Sequence, residues 1–205
     1  MKAWHSSPRL KAEVLTRMLQ HRAADSIIQG QYQVLDPNGA MGYRGCLIGC
    51  TLPLRTVSGY DGVPDNWHQE VEDQYGIPEE IAILLDYTFE RLTVDKAPWF
   101  AVTFIEATPV GADMDKVVEQ LKQDLVDQYH EGVLPLWIEF NDPDWLCELC
   151  QFQSTSFTAV SGWTAEFLWV AEQIIKRVQE ADPSPYVQPV IAYDTAEETH
   201  VLVAA

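Results

Sequence analysis

The sequence predicts a mainly α fold, a single globular domain of about six helices around a buried central helix, with little or no sheet. Three observations carry this reading. Apolar residues recur at three- and four-residue steps in four long stretches, helix punctuation (Ser-Pro, Pro and Gly) stands at their ends, and segment 95–107 is apolar nearly all round. A helix without a polar face belongs in the middle of a fold. The chain has 205 residues, which suits one domain and allows roughly 70% of the unfolded surface to be buried without help from disulfides.

The first helix opens at Ser7-Pro8, an N-cap followed by proline at the first helical position. Leu10, Val14, Leu15, Met18, Leu19, Ala23, Ile27 and Ile28 form its stripe, so it is expected to run to Gly30, with Glu13, Arg17, Gln20 and His21 in water. Tyr32 and Val34 alternate before Asp36-Pro37-Asn38-Gly39, which is turn chemistry; a small hairpin and a structured loop both fit. Arg44-Gly45-Cys46-Leu47-Ile48-Gly49-Cys50-Thr51 reads as a compact apolar turn and a buried junction, and 51–64 reads as loop. Pro64 starts a helix over 65–75 that Gly76 ends, and Pro78 starts another carrying Ile81, Leu84, Leu85, Thr88 and Leu92. Pro98 and Glu106 favour helix over a buried strand for 95–107, and Thr108-Pro109 stops it. Asp113 caps an amphipathic helix through Val117, Val118, Leu121, Leu125 and Tyr129, ended by Gly132. Residues 134–140 fit a short strand or an extended segment, and 144–152 two helical turns. The last helix carries Trp163, Phe167, Val170, Ala171, Ile174, Ile175 and Val178, and ends at Asp182-Pro183. The domain is therefore 1–182, followed by an extended arm or tail over 183–205.

Thirteen basic against 31 acidic residues give a formal charge of −18. Such a chain repels phosphate backbones and anionic surfaces, which argues against nucleic acid as a partner and leaves a protein partner or a second copy of the chain. Nothing approaches the ~20 apolar residues of a membrane span, and the first residues lack a secretory apolar core. The expected location is cytoplasmic, where the four cysteines stay reduced.

The cysteines come as Cys46-x3-Cys50 and Cys147-x2-Cys150. Two short-spaced pairs are how structural zinc is held, but both sit among apolar neighbours, where free cysteine packs as a small hydrophobe. His68 and Glu72 lie one helical turn apart, as do Asp86 and Glu90 on the next helix, and Glu106 interrupts the central apolar segment. Inward carboxylates and an imidazole on facing helices build metal or acid–base sites in helical proteins, although the Glu-x-x-His spacing is absent. On an acidic chain the same pairs also arise as solvated faces, and Glu106 fits a helix-terminal residue. No P-loop, dinucleotide fingerprint or Gly-x-Ser-x-Gly is found, so no cofactor is called for. Among seven tryptophans, Trp99, Trp137, Trp163 and Trp169 are expected in the core, and Trp4 and Trp67 at a contact surface.

Arg44-Gly-Cys-Leu-Ile-Gly-Cys, Trp67-His68 through Tyr75-Gly76-Ile77-Pro78, and Phe104-Ile-Glu-Ala-Thr-Pro-Val-Gly-Ala-Asp113 together resemble a family of bacterial and phage proteins. There a Gly-Cys-x-x-Gly-Cys turn precedes a YGIP-like helix junction and an EA-x-PVGAD link. The resemblance spans residues 10–130 and implies no activity.

Three functions remain. The leading one is a small binding or interaction protein that self-associates as a homodimer. The second is a helical metal-dependent or acid–base enzyme using His68, Glu72, Asp86 and Glu90. The third is a zinc-stabilised regulatory domain using Cys46, Cys50, Cys147 and Cys150.

Overall fold

The computed structural model describes residues 1–54, 66–130 and 164–181. Within them the chain is mainly helical: α1 (Pro8–Ala23), α2 (Leu47–Thr51), α3 (Trp67–Tyr75), α4 (Glu79–Arg91), α5 (Ala97–Ala107), α6 (Met114–His130) and α7 (Thr164–Glu180). The sheet among these residues is one antiparallel pair, β1 (Val34–Leu35) and β2 (Tyr43–Arg44), with Val34 opposite Arg44 and Leu35 opposite Tyr43. No described helix is long and apolar enough to cross a membrane. The expected elements at 134–140, 144–152 and 183–205 lie outside the described residues, as does the domain boundary at 182.

The centre of the fold is α5, as its all-round apolar sequence predicts. Every residue of it is buried or half-buried, and it packs on α1, α4 and α7. Lys11 of α1 donates from Nζ to the Glu106 carbonyl (2.8 Å), capping the C-terminal end of α5 with a cation. Trp99 and Trp169 are half-buried at its flanks. Trp4 and Trp67, expected at a contact surface, are 1% and 5% exposed. Their rings are consumed by internal packing, so they offer no surface to a partner.

Helix α1 stops seven residues earlier than its stripe suggests. The Asp25 amide bonds to Arg22 and the Ser26 amide to His21 (3.1 and 2.8 Å), closing a Schellman cap with Asp25 at φ 51 where glycine is usual. The chain then turns back, and Ile27 pairs in parallel with Gly45. His21, expected in water, is fully buried against the edge of Tyr43 (4.5 Å), and burial, then the charge of Arg17, pushes its ring down to about 4. Arg17 is drawn inward as well: it donates to the Thr51 carbonyl at the end of α2 (2.6 Å), which also accepts from Tyr75 Oη (3.0 Å).

Residues 46–50 are not a turn. They are the start of the short helix α2, entirely buried, with Cys46 as its N-cap residue. The two glycines have a definite partner in the carbonyl of Tyr32. A Cβ on Gly45 would lie 2.0 Å from that oxygen, and on Gly49 only 1.4 Å. No side chain fits there, so the segment before β1 rests directly on the backbone of α2.

The N-terminal residues are anchored across the molecule. Trp4, His5 and Ser6 take φ of 56, 45 and 58 in succession, a left-handed turn that L-residues rarely adopt. It is held by Trp4 Nε1 donating to the Thr108 carbonyl (3.0 Å) and by paired backbone bonds between Ala3 and the 111–112 segment.

Gly49→Ala is expected to cost about 3 kcal/mol, the upper end of the overpacking range, because backbone meets backbone. That corresponds to a fall in Tm of roughly 6–12 °C for a chain of this length. Gly39→Ala, whose Cβ meets only the movable Asp36 carboxylate, should cost less than about 1 kcal/mol. Thermal melts of the two variants check this; equal melts would show that the close approach at Gly49 is not real.

Candidate functional site

Three elements and one loop converge in front of α2. Helix α3 contributes His68 from its first turn, and α4 contributes Asp86 and Glu90, four apart and so on one face. The two helices are joined by Gly76 in the left-handed region (φ 64), with its amide on the Glu72 carbonyl (2.8 Å), which folds α3 back against α4. Helix α2 brings Cys46. The loop brings Tyr32, whose position is set by its carbonyl against Gly45 and Gly49.

These groups form one polar cluster inside the apolar core. Asp86 is 3% exposed; its Oδ2 accepts from Tyr32 Oη (2.9 Å) and lies 3.0 Å from His68 Nε2. The Tyr32 hydroxyl is also 3.4 Å from His68 Nε2, and its ring stacks on Trp67 at 5.0 Å. With Nε2–H donating to Asp86, a neutral His68 keeps Nδ1 as its acceptor. On the other side of Asp86, the Cys46 sulfur and a Glu90 oxygen lie within 4.8 Å of each other and of an Asp86 oxygen.

Burial dominates the electrostatics of the cluster, with the charge of Arg91 acting against it at Glu90. Burial, then the charge of Asp86, pushes Glu90 up to about 7, against the opposing pull of the Gly30 amide that donates to its Oε2 (2.7 Å) and of Arg91. Burial raises the Cys46 thiol well above its ordinary range; Asp86 adds to this, and a hydrogen bond from Gly49 opposes it. Among the described residues His68 Nε2 is the side-chain nitrogen in contact with Asp86, and no lysine or arginine nitrogen lies within ion-pair distance of either carboxylate. The Arg91 guanidinium lies over the ring of Tyr87, 3.2 Å from its centroid.

Of the residues singled out in the sequence, His68, Asp86 and Glu90 are brought together. Glu72 is not: its Oε2 accepts from the Glu79 amide (2.6 Å) and so caps α4. Glu106 sits on α5, where its carbonyl serves Lys11. Cys46 joins the carboxylates, whereas Cys50 donates to the Gly45 carbonyl (3.2 Å), with its thiol pushed up to about 12 by burial. Cys147 and Cys150 lie outside the described residues. Tyr32 was not anticipated as a site residue. The close approach demanded by Gly45 and Gly49 was visible in the sequence, but nothing there says which carbonyl fills it.

Two carboxylates and a thiol at this spacing match the donor set of a metal ion. Around a four-coordinate ion, bonds of 2.0–2.3 Å place ligand atoms about 3.3–3.8 Å apart, a short inward movement from the present separation. Thiolate catalysis fits less well, because a nucleophilic cysteine needs a lowered pKa and both burial and Asp86 act the other way here.

No protein-family model, curated protein or solved structure matches this chain.

The raised Glu90 makes a signed prediction. The unfolded chain releases this proton near 4.5 and the folded chain near 7. Its contribution to stability is therefore present below pH 4.5 and lost as pH rises to 7. Glu90→Gln should melt higher than the parent protein at pH 8 in the presence of a chelator, by about 2–3 kcal/mol, with the difference gone by pH 4.5. A pH-independent difference in melting would assign Glu90 to solvent.

Proposed function

We propose that this chain is a metal-binding helical protein whose centre is built from Cys46, Asp86 and Glu90, with His68 and Tyr32 orienting the Asp86 carboxylate. The observation that carries this reading is the cluster of one thiol and two carboxylates within 4.8 Å, with Cys46 and Asp86 in the core and Glu90 half-buried, and with no lysine or arginine within ion-pair distance of either carboxylate among the described residues. A bound cation would sit among these donors, and binding would displace the thiol and Glu90 protons. Sulfur among the donors favours zinc, cobalt or ferrous iron over magnesium or calcium. The hydrogen bonds to Asp86 from Tyr32 and His68 are the kind that hold ligating carboxylates in place. Cys46 is 1% and Asp86 3% exposed, the setting of an ion that holds a fold together.

Cobalt titration of the metal-free chain tests this. Co²⁺ should produce a thiolate-to-metal absorption band in the near ultraviolet, and at a hundredfold excess over Kd should raise Tm by roughly 5–10 °C. Mg²⁺ should do neither. Cys46→Ser should lose the band, and Glu72→Gln should keep it. No band and no shift in the parent protein would leave the cluster as a plain hydrogen-bonded network.

The thiols suit a reducing compartment, and we place the protein in the cytoplasm on that ground. Self-association, as a homodimer of the commonest two-fold kind, is proposed on the apolar residues of 190–203. The tryptophan argument for it falls away, since Trp4 and Trp67 are buried. Large exposed apolar side chains among the described residues, Met1, Leu35, Leu54 and Val94, come from separate parts of the chain. Light scattering at tens of micromolar should report a dimer. A monomer that stays monomeric in that range would remove the proposal.

A further inference from the structure

The loop from Gln29 to Gln33 touches each of the three residues of the proposed centre in turn. The Gly30 amide donates to Glu90 Oε2 (2.7 Å), the Gln31 carbonyl accepts from the Cys46 amide (2.8 Å), and the Tyr32 hydroxyl donates to Asp86 Oδ2 (2.9 Å). Gly30 and Gln31 are exposed, so among the described residues this strap runs from the cluster to the surface.

It is fastened at both ends by glutamine side chains. Gln29 Nε2 donates to the Phe89 and Leu92 carbonyls at the C-terminal end of α4 (2.8 and 2.9 Å). Gln33 Nε2 donates to the Gly49 carbonyl (2.8 Å) and to the Pro53 carbonyl (3.1 Å) at and beyond the end of α2. Between the two fastenings, the Tyr32 carbonyl rests on Gly45 and Gly49, and its ring lies on Trp67. Gly30, at φ +88 with nothing within 4 Å of where a Cβ would sit, is a pivot with room around it. Gln29 and Gln33 thus bind helix-end carbonyls rather than apolar surface, and such bonds exchange readily with water.

We infer that residues 29–33 form a lid over the metal centre, latched by Gln29 and Gln33, and that an ion enters and leaves only when this strap lifts. The inference rests on the metal reading and adds to it the regulation of the site. Opening breaks the two latches, the three contacts to the ligand-bearing residues and the seating of Tyr32 on Gly45, Gly49 and Trp67. It leaves α2, α3 and α4 packed against one another through Leu47, Val71, Ile81 and Leu85. Loading and release then share one slow step, and the ligand residues need no rearrangement of their own.

The test loads the full chain with Co²⁺, mixes it with excess chelator and follows decay of the thiolate–cobalt band. Release from the parent protein should reach a rate independent of chelator concentration, the rate of lid opening. Gln29→Ala and, separately, Gln33→Ala should speed both uptake and release about tenfold, with little change in Kd or in the spectrum. Lys122→Ala, exposed on α6 and paired with Glu80 at the opposite end of α4 from Glu90, should release at the parent rate. Circular dichroism at the temperature of the experiment confirms that each variant is folded. The lid is overturned by cobalt that binds and is released at the parent rate in both glutamine variants, or by a release rate that climbs without limit as chelator is added. A chain that takes up no cobalt overturns the metal reading and the lid together.

Discussion

The contact on which the rest of this molecule depends is the Tyr32 carbonyl lying on the bare backbone of Gly45 and Gly49. It joins two segments at a separation that no side chain permits. From it follow the position of the Tyr32 ring on Trp67 and the reach of its hydroxyl to Asp86. Thr51 at the far end of α2 collects Arg17 and Tyr75, so α1 and α3 are tied to the same short helix. A five-residue helix has little stability of its own, and α2 exists because its surroundings hold every face of it.

The cluster beside α2 runs against the logic of the core around it. Burying carboxylates and a thiol among Ile48, Ile81, Leu85 and Phe89 costs desolvation energy that hydrogen bonds only partly offset. Asp86 has Tyr32 and His68 as partners; Glu90 has one amide and a like charge next to it. A fold that needed only packing would place leucine there. Buried polar side chains of this kind cost stability, and it is on that cost that the metal proposal rests.

Periodicity made most of the helices legible, because α1, α4, α6 and α7 each present apolar residues at three- and four-residue steps, and α5 is apolar nearly all round. It failed where a residue acted out of type. Asp25 took a left-handed cap, and so α1 ended at Ala23 and not near Gly30. His21 and Arg17 looked like a polar face, yet the doubled-back chain at 24–28 and the end of α2 covered them. The carboxylates and His68 were legible as candidates from their spacing on neighbouring helices. The sequence reads the thiols first as small buried hydrophobes, and Cys46 and Cys50 are buried, but it does not show that Cys46 lies by the carboxylates while Cys50 faces a backbone carbonyl. Which of two cysteines four apart turns toward a neighbouring helix is decided by tertiary packing, and a pattern along one strand of sequence does not encode it.

The left-handed turn at Trp4–Ser6 has a consequence for how the chain assembles. Three consecutive L-residues in that region cost about 1–2 kcal/mol each, so the turn cannot pre-exist in the unfolded chain. Its stabilising bonds reach Thr108 and Ala112, more than a hundred positions along. Those acceptors are in place only once α5 has packed and the link to α6 has turned. Residues 4–6 are therefore among the last to be ordered, and the closing of this turn reports that the helices behind it have already come together.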